Sequence, residues 1–273
     1  MMNPIRTFLS LVVVVTMALG SYAQNINTTD NFPDSNFRAA IEDFMGVEPG
    51  GEFTAEDALN APTKLLAQER NIRNMKGIEF FENLIDLDIN GNPIEHIDLS
   101  NNTKLRSLFF SGAKFETIDL SHLTDLRAFH INVSELESVD LSNNVNLSWI
   151  FMGHNNLTEI DLSNNTNLQR VWLFGNNLQT IDVSNLRLLE ELRLQENNLT
   201  SINVSNNPFL RELNIQHNSL TEIDLSNNPQ LEWLNIANNG FTSFDASMAP
   251  NLTFLNISDN ALPGIDLSPL PQL

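Results

Sequence analysis

Residues 189–209 read LEELRLQENNLTSINVSNNPF, and residues 210–230 read LRELNIQHNSLTEIDLSNNPQ. Both follow the pattern LxxLxLxxNxLxxIDLSNNxx, and nine such 21-residue units, numbered 1 to 9 from Leu84, fill residues 84–272 without an insertion or deletion. A unit this small cannot bury its apolar face alone, so units in strict register are predicted to stack into a solenoid. Such a molecule displays an extended surface rather than an enclosed pocket.

Both sides of a unit are predicted to be extended. Positions 4 and 6, such as Leu192 and Leu194, point the same way at period two, which indicates strands that stack into a parallel sheet. Positions 14 and 16, such as Ile160 and Leu162, alternate around an outward aspartate on the far side. Prolines that argue against helices share one column there, namely Pro208, Pro229, Pro250 and Pro271. We therefore expect no long helix after residue 62.

An asparagine column follows the strand at position 9. A buried side-chain amide can pair with the backbone groups that the turn leaves unsatisfied inside the stack. Ala113 and Ser134 interrupt the column, so units 2 and 3 are predicted to be held together less firmly. The members are Asn92, Asn155, Asn176, Asn197, Asn218, Asn239 and Asn260.

The segments ahead of the repeats have different characters. Residues 1–23 combine a positive start, an apolar run and a small-x-small site, which predicts a secretory signal peptide. Residues 24–61 are predicted to form a polar lead and a helical cap, with one helix behind Pro33–Asp34 and a second opened by a capping box of Thr54 and Asp57. Residues 62–83 form an irregular first repeat, and residues 84–273 hold the nine units plus the first residue of a tenth.

The last unit is followed by a single residue, Leu273, with no cap in the sequence. We therefore expect the sequence to be a piece of a longer product. If the chain ended there, the inward apolar side chains of unit 9 would lie edge-on to solvent, and this end would fray or pair with a second copy.

The chain is strongly acidic. Its 34 Asp and Glu against 14 Lys and Arg give a formal net charge of −20, and loss of Arg6 with the leader makes it −21, since 13 basic residues then face 34 acidic ones. A polyanion repels phosphate groups and anionic lipids, so binding to nucleic acid and direct membrane insertion are disfavoured. Cysteine is absent, which excludes disulfides and thiolate metal sites.

The repeats resemble those of secreted bacterial leucine-rich-repeat proteins of the 21-residue class, over residues 62–273. The segments FPDSNFRAAI (32–41) and GIEFFENL (77–84) are similar to the helical cap and first repeat of internalin-like proteins exported by Bacteroidetes-type bacteria. The resemblance implies an α/β repeat solenoid, a leucine-rich-repeat arc with a parallel β-sheet on the concave face, extended and turn segments on the convex face, and a small helical N-terminal cap. It also implies a non-catalytic module, secreted or at the cell surface, that binds a protein or a glycan.

Metal and cofactor sites are not predicted. Some relatives carry an EF-hand-like calcium loop in the cap, but two oxygen-ligand positions are glycine among the corresponding residues Gly46, Glu48, Gly50, Gly51, Phe53 and Asp57. A second acidic feature is a convex column in which a serine follows two residues later, as expected of turns, although stacked carboxylates would also suit calcium. That column holds Asp98, Asp119, Asp140, Asp161, Asp182, Asp224, Asp245 and Asp266.

Catalysis is not predicted either. A nucleophile and base must lie within hydrogen-bond reach of each other. The histidines do not lie at adjacent outward positions, since the two that share a column, His154 and His217, are three units apart, and none has the spacing of a zinc site; they are His96, His122, His130, His154 and His217.

The candidate binding site is an aromatic patch on the outward side of the strands in units 2–5. Adjacent strands lie ~4.8 Å apart, so side chains at positions 3, 5 and 7 of successive units are predicted to touch. Position 5 in units 6–9 is polar instead, and we expect those units to act as scaffold in which a change such as Asn235→Ala matters little for ligand binding. The predicted ligand-binding residues are Phe109, His130, Trp149, Phe151, Trp172, Phe174 and Arg193.

Three interpretations of this surface remain open. The first is a module that recognises a protein or glycan through the patch, since exposed aromatic clusters on rigid sheets mark partner sites. The second is cross-strand stacking that only stabilises a structural or adhesive spacer, which would position a further C-terminal domain. The third is an accessory arm of a secreted hydrolase. The ligand's identity and the oligomeric state do not follow from the sequence.

Overall fold

The computed structural model describes residues 24–273, so the predicted leader lies outside the described residues. Ten strands form one parallel sheet in the order β1-β2-β3-β5-β7-β8-β9-β10-β11-β12. They recur at the predicted 21-residue steps, which confirms the repeat solenoid. Their bounds are β1 Lys64–Leu66, β2 Asp86–Ile89, β3 Ser107–Ser111, β5 Ala128–Asn132, β7 Trp149–Phe151, β8 Arg170–Trp172, β9 Glu191–Arg193, β10 Glu212–Asn214, β11 Trp233–Asn235 and β12 Phe254–Asn256.

Each strand pairs with the same positions of the next unit. Leu192 lies opposite Val171 and Leu213, for example. Equivalent residues are therefore neighbours in space, and each sequence column becomes a row along the solenoid. The inward leucines at positions 1, 4 and 6 form one continuous core, in which Leu189, Leu192 and Leu194 are fully buried.

The convex side contains little regular structure. Within residues 24–273, strands β4, Thr117–Ile118, and β6, Ser138–Val139, pair there, Asn74 and His96 form an isolated bridge, and the remaining units cross this side in turns. After residue 62 the helical elements are two three-residue 3₁₀ helices, Ile78–Phe80 and Ala246–Met248. This agrees with the expectation that long helices are absent after that point.

Two short helices cover the N-terminal end of the stack. Helix α1 spans Ser35–Met45 and α2 spans Ala55–Leu59, the latter with the predicted capping box of Thr54 and Asp57. Asp34 caps α1 through the amides of Asn36 and Phe37 and also accepts hydrogen bonds from the amides of Arg73 and Asn74. Burial raises the pKa of Asp34, but these four backbone hydrogen bonds outweigh it and lower the pKa overall. One carboxylate thus ties the cap to the first repeat.

The asparagine column at position 9 forms the predicted ladder. Asn155 donates from Nδ2 to the carbonyl of Ile131 in the preceding unit at 2.8 Å, and its Oδ1 accepts the amide of Leu136 at 3.2 Å. Where the column lapses, Ser134 substitutes in part, because its Oγ accepts the amide of Ala113 at 3.1 Å. The amide side chain therefore links the backbones of successive units.

A second asparagine ladder, at position 19 on the convex side, was not predicted. Each Nδ2 donates to two carbonyls of the preceding unit; that of Asn165 reaches Leu141 and Asn144 at 3.0 Å each. The Oδ1 atoms are buried and have no hydrogen-bond partner within residues 24–273. Leucine replaces asparagine in this column at Leu123 and Leu186, which are equally buried. The members are Asn102, Asn144, Asn165, Asn207 and Asn228.

Position 8 has a positive φ in all nine units. Glycine suits this left-handed conformation and occurs in units 1, 2 and 5, as at Gly112 with φ 75°. Unit 3 instead has Val133 at φ 50°, with a side chain that is 59% exposed. A β-branched residue in this region is strained. The turn at the end of every strand therefore has one shape, whatever residue occupies it.

The two ladders should respond differently to loss of the amide. Asn155→Leu leaves the amide of Leu136 buried and unpaired, and we expect it to lower the free energy of unfolding by about 2 kcal/mol or more. Asn165→Leu removes an unpaired oxygen, and the carbonyls of Leu141 and Asn144 still accept backbone amides at 3.0 and 3.1 Å. We expect a change within about 1 kcal/mol. Urea unfolding of both variants measures the difference, and equal losses would contradict it.

Candidate functional site: the aromatic sheet face

The candidate site lies on the outward face of the sheet, here called the sheet face and defined by positions 2, 3, 5, 7 and 8 of the units. In units 2–5, positions 3, 5 and 7 contain five aromatic rings and His130, all half-buried. The strands themselves place the rings, since positions 3, 5 and 7 project to the same side. We call Phe109, His130, Trp149, Phe151, Trp172 and Phe174 the aromatic patch.

The rings of the aromatic patch are in contact from one end to the other. His130 stacks on Phe151 with ring centroids 4.3 Å apart and an interplanar angle of 17°. Phe151 meets the edge of Trp172 at 5.0 Å, and Trp172 meets Trp149 at 6.2 Å. Phe109 leans across Ala128 to lie 6.0 Å from Trp149, and Phe174 lies 5.4 Å from Phe151 at the other side. The structure thus brings all six predicted side chains together.

Glycine residues beneath the patch leave space that the aromatic rings fill. A Cβ atom on Gly153 would come within 2.7 Å of the Phe174 ring, so this ring occupies the space above the glycine. The ring of His154 occupies the equivalent space above Gly175 and meets Phe174 edge-on at 5.0 Å. His154 was not predicted as a member of this surface, because the patch was assembled from positions 3, 5 and 7, whereas His154 is at position 8.

Arg193 closes the patch at unit 6. Its guanidinium carbon lies 4.0 Å above the Trp172 ring, a cation–π contact. The same guanidinium binds Glu212 with two hydrogen bonds of 2.6 and 3.1 Å. Arg193 is therefore held between a ring and a carboxylate, and it covers one face of Trp172.

Three ring nitrogens of the patch lack partners. Nε1 of Trp149, Nε1 of Trp172 and Nε2 of His130 are enclosed by neighbouring rings and make no hydrogen bond to any described residue. Burial lowers the pKa of His130, although the charge of Asp88 opposes the shift, so its imidazole is neutral at pH 7. A buried N–H group without an acceptor lowers the stability of the folded state. Such groups are therefore unfavourable in a patch that serves packing alone.

The far end of the sheet face differs from the sequence-based expectation. Asn235 is buried, with 6% exposure; its Nδ2 donates to Gln216 at 2.6 Å and its Oδ1 accepts the amide of Ala237. The side chain is therefore part of a hydrogen-bonded layer and not an exposed polar group, while the prediction that Asn235→Ala matters little for ligand binding stays a prediction. A second aromatic pair, Trp233 and Phe254, also went unpredicted; its rings stack at 4.6 Å and 5°.

The convex aspartate column serves the turns. Asp161 accepts the amide of Ser163 at 2.8 Å, and the other members bind the serine two residues on in the same way. These hydrogen bonds from the serine amide or hydroxyl lower the pKa of each aspartate. Within residues 24–273, no three His, Asp or Glu side chains converge as a metal site would require.

The packing of Phe174 over Gly153 can be tested directly. Gly153→Ala places a methyl group inside the ring, so Phe174 must move, and we expect a loss of about 1–3 kcal/mol in the free energy of unfolding. Gly264→Ala is the matched control, since its Cβ would meet nothing within 4 Å, and it should be neutral or stabilising by up to about 1 kcal/mol. Thermal or urea unfolding distinguishes the two, and a neutral Gly153→Ala would show that the ring is not held there.

Comparison with solved structures identifies the fold. The chain is 31% identical to the functional domain of InlJ from Listeria monocytogenes, with a TM-score of 0.87 over 90% of this chain and 54% of that one. It thus spans about half the length of that domain, which includes a cysteine ladder, whereas this chain has no cysteine. Internalin C2 of the same organism is 25% identical, with a TM-score of 0.70 over 77% of this chain and 96% of that one.

A leucine-rich-repeat protein of Leptospira interrogans shares the fold at 23% identity, with a TM-score of 0.67 over 72% of this chain and 55% of that one. No protein-family model and no curated protein sequence matches the chain. No helix within residues 24–273 is both long and apolar enough to span a membrane. The parallel solenoid and these likenesses establish a leucine-rich-repeat protein of internalin-like build.

Proposed function

We propose that the chain is a non-catalytic binding module, secreted or displayed at the cell surface, that recognises a protein through the aromatic patch. The observation that carries the proposal is the continuous contact of six half-buried rings across four adjacent strands. Large aromatic side chains that keep exposed faces on a rigid sheet are the residues that dominate binding energy at protein interfaces. The likeness to internalins, which are leucine-rich-repeat proteins, supports a binding role for the repeats.

The enclosed ring nitrogens favour binding over packing. Phenylalanine at positions 149 and 172 would give similar stacking without an unpaired N–H group. Tryptophan instead adds apolar area and a donor that a ligand can satisfy if the rings shift on binding. The neutral state of His130 keeps this surface free of added charge at pH 7, as suits an apolar ligand side chain.

A structural spacer is the second candidate, and one observation favours it. Trp233 and Phe254 show that this sheet also uses ring stacking at a position where the surrounding layer is a hydrogen-bonded network of amides. If the aromatic patch served only the same purpose, its loss would change stability but leave binding intact. An accessory role beside a hydrolase domain would likewise leave the patch free of a ligand.

The experiment compares two tryptophans on the same face. Trp172→Ala removes a ring from the centre of the patch, and Trp233→Ala removes one outside it; both rings are half-buried. The full chain and both variants are applied, fluorescently labelled, to an array of purified extracellular protein domains and to a glycan array. We expect saturable binding to a protein that Trp172→Ala weakens by about 2 kcal/mol or more and that Trp233→Ala leaves unchanged.

The other outcomes have defined meanings. Binding that both variants retain would contradict the patch as the site and support the spacer. A glycan ligand that depends on Trp172 would keep the site and correct the ligand class. The melting temperature of each variant, measured alongside, separates a lost contact from a lost fold.

A further inference from the structure

The sheet face has an unusual distribution of charge. In units 2–5, positions 2, 3, 5, 7 and 8 contain three arginines, Arg106, Arg127 and Arg170, and no aspartate or glutamate. The same positions in units 6–9 contain six carboxylates, Glu190, Glu191, Glu196, Glu212, Glu232 and Asp259, against two arginines. In a chain with 34 acidic and 14 basic residues, the aromatic section is the part of the sheet face from which carboxylates are missing.

Arg106 and Arg127 lie side by side at the edge of this section. The amide of Arg127 donates to the carbonyl of Arg106 at 2.8 Å, so the two residues hold the same position on adjacent strands, and both are exposed. Neither guanidinium has a carboxylate within 4.0 Å among residues 24–273. Like charges opposite each other on neighbouring strands destabilise a sheet.

Several other cations of the repeats face a carboxylate of the next unit. Arg170 faces Glu191 of the next unit at 3.0 Å, Arg193 faces Glu212 at 2.6 Å, and Lys114 faces Glu135 at 2.8 Å. A cation facing a carboxylate one unit away thus recurs along this solenoid. Among the described residues, Arg106 and Arg127 lack such a carboxylate, although the chain has many more acidic than basic residues.

The arginine pair adjoins the aromatic patch. Arg127 is followed by Ala128, which pairs with Trp149 and lies under the gap that Phe109 and Trp149 close. Arg106 and Arg127 are at position 2, directly before position 3 of the patch, so these two exposed residues border the ring surface. At 0.15 M salt the Debye length is about 8 Å. A ligand at this border therefore responds to these two charges, and to Asp86 and Asp88 on the strand beside β3, more than to the carboxylates of units 6–9.

We propose that the ligand of the aromatic patch is a segment of a partner protein that combines apolar side chains with carboxylates, its carboxylates binding Arg106 and Arg127 and its apolar side chains the rings. The assignment rests on the proposed function. Guanidinium groups bind carboxylates with two parallel hydrogen bonds, which fixes the direction of the bound segment as well as adding affinity. Although the protein is acidic overall, charge complementarity with these two arginines therefore favours an acidic ligand.

A peptide library tests the assignment. Twelve-residue peptides with randomised apolar positions and with Glu, Gln or Lys at all polar positions are displayed as three matched sets and panned on the full chain. We expect the Glu set to be enriched at least 10-fold over the Gln set and the Lys set to be lowest. In the double variant Arg106→Gln/Arg127→Gln this advantage should vanish. Arg187→Gln, which removes an exposed arginine away from the sheet face, is the control and should keep it.

The outcomes separate this inference from the proposed function. Equal enrichment of Glu and Gln sets, enrichment of the Lys set, or an advantage that survives in the double variant overturns the acidic ligand. If the selected Gln peptides still lose binding in Trp172→Ala, the aromatic patch stands as a protein site without the charge requirement. Failure of all three sets to bind, with uronic-acid oligosaccharides bound through Arg106 and Arg127 instead, overturns the protein segment in favour of an anionic glycan.

Discussion

The structure depends on pairing the backbone of each unit with the next across a repeat of only 21 residues. With no helix on the convex side of units 1–9 beyond one 3₁₀ turn, most polar groups of the turns must find partners between units. Buried asparagine amides provide them at both edges of the unit, position 9 after the strand and position 19 on the convex side. An insertion would shift these amides away from their carbonyls. The strict register of the sequence is therefore a requirement of hydrogen bonding as much as of core packing.

The register determines what the sheet face presents. Because every strand pairs with the same positions of its neighbours, a residue type repeated in a column becomes a row of contacts, and a change of type marks a boundary on the surface. The aromatic patch, the ion pairs around Arg193 and the amide layer around Asn235 are successive zones of one face. Their order follows from the order of units along the chain, and each zone has its own chemistry on an unchanged scaffold.

Much of the fold could be predicted because periodicity encodes it. The strand positions, the asparagine column from Asn155 to Asn260 and the cap helix after Pro33–Asp34 all follow from local pattern and turn chemistry. The second ladder was missed because its column mixes asparagine with apolar residues, as at Asn207 and Leu186, and therefore resembles an ordinary apolar position. The left-handed turn at position 8 was hidden in the same way, since Val133 and Gly112 occupy one conformation.

The sequence predicted which residues lie together at the site, but not how their side chains pack. The spacing of the repeats predicted that the aromatic residues from Phe109 to Phe174 lie together. The packing of Phe174 over Gly153 and the burial of the tryptophan N–H groups depend on rotamers, which a repeat pattern does not specify. For the same reason the sequence did not show that Asn235 is buried by its neighbours. Within a row, the direction of a side chain depends on the space that its neighbouring residues leave.

Fluorine NMR tests the central claim most directly, because the chain has three tryptophans, two in the aromatic patch and one outside it. In protein labelled with 5-fluorotryptophan, the signals are assigned by substituting Trp149, Trp172 and Trp233 in turn, and a protein ligand from the array is then titrated. The account predicts that the Trp149 and Trp172 signals shift on binding while the Trp233 signal stays in place. Saturable binding that leaves Trp149 and Trp172 unchanged, or that shifts Trp233 alone, would contradict it.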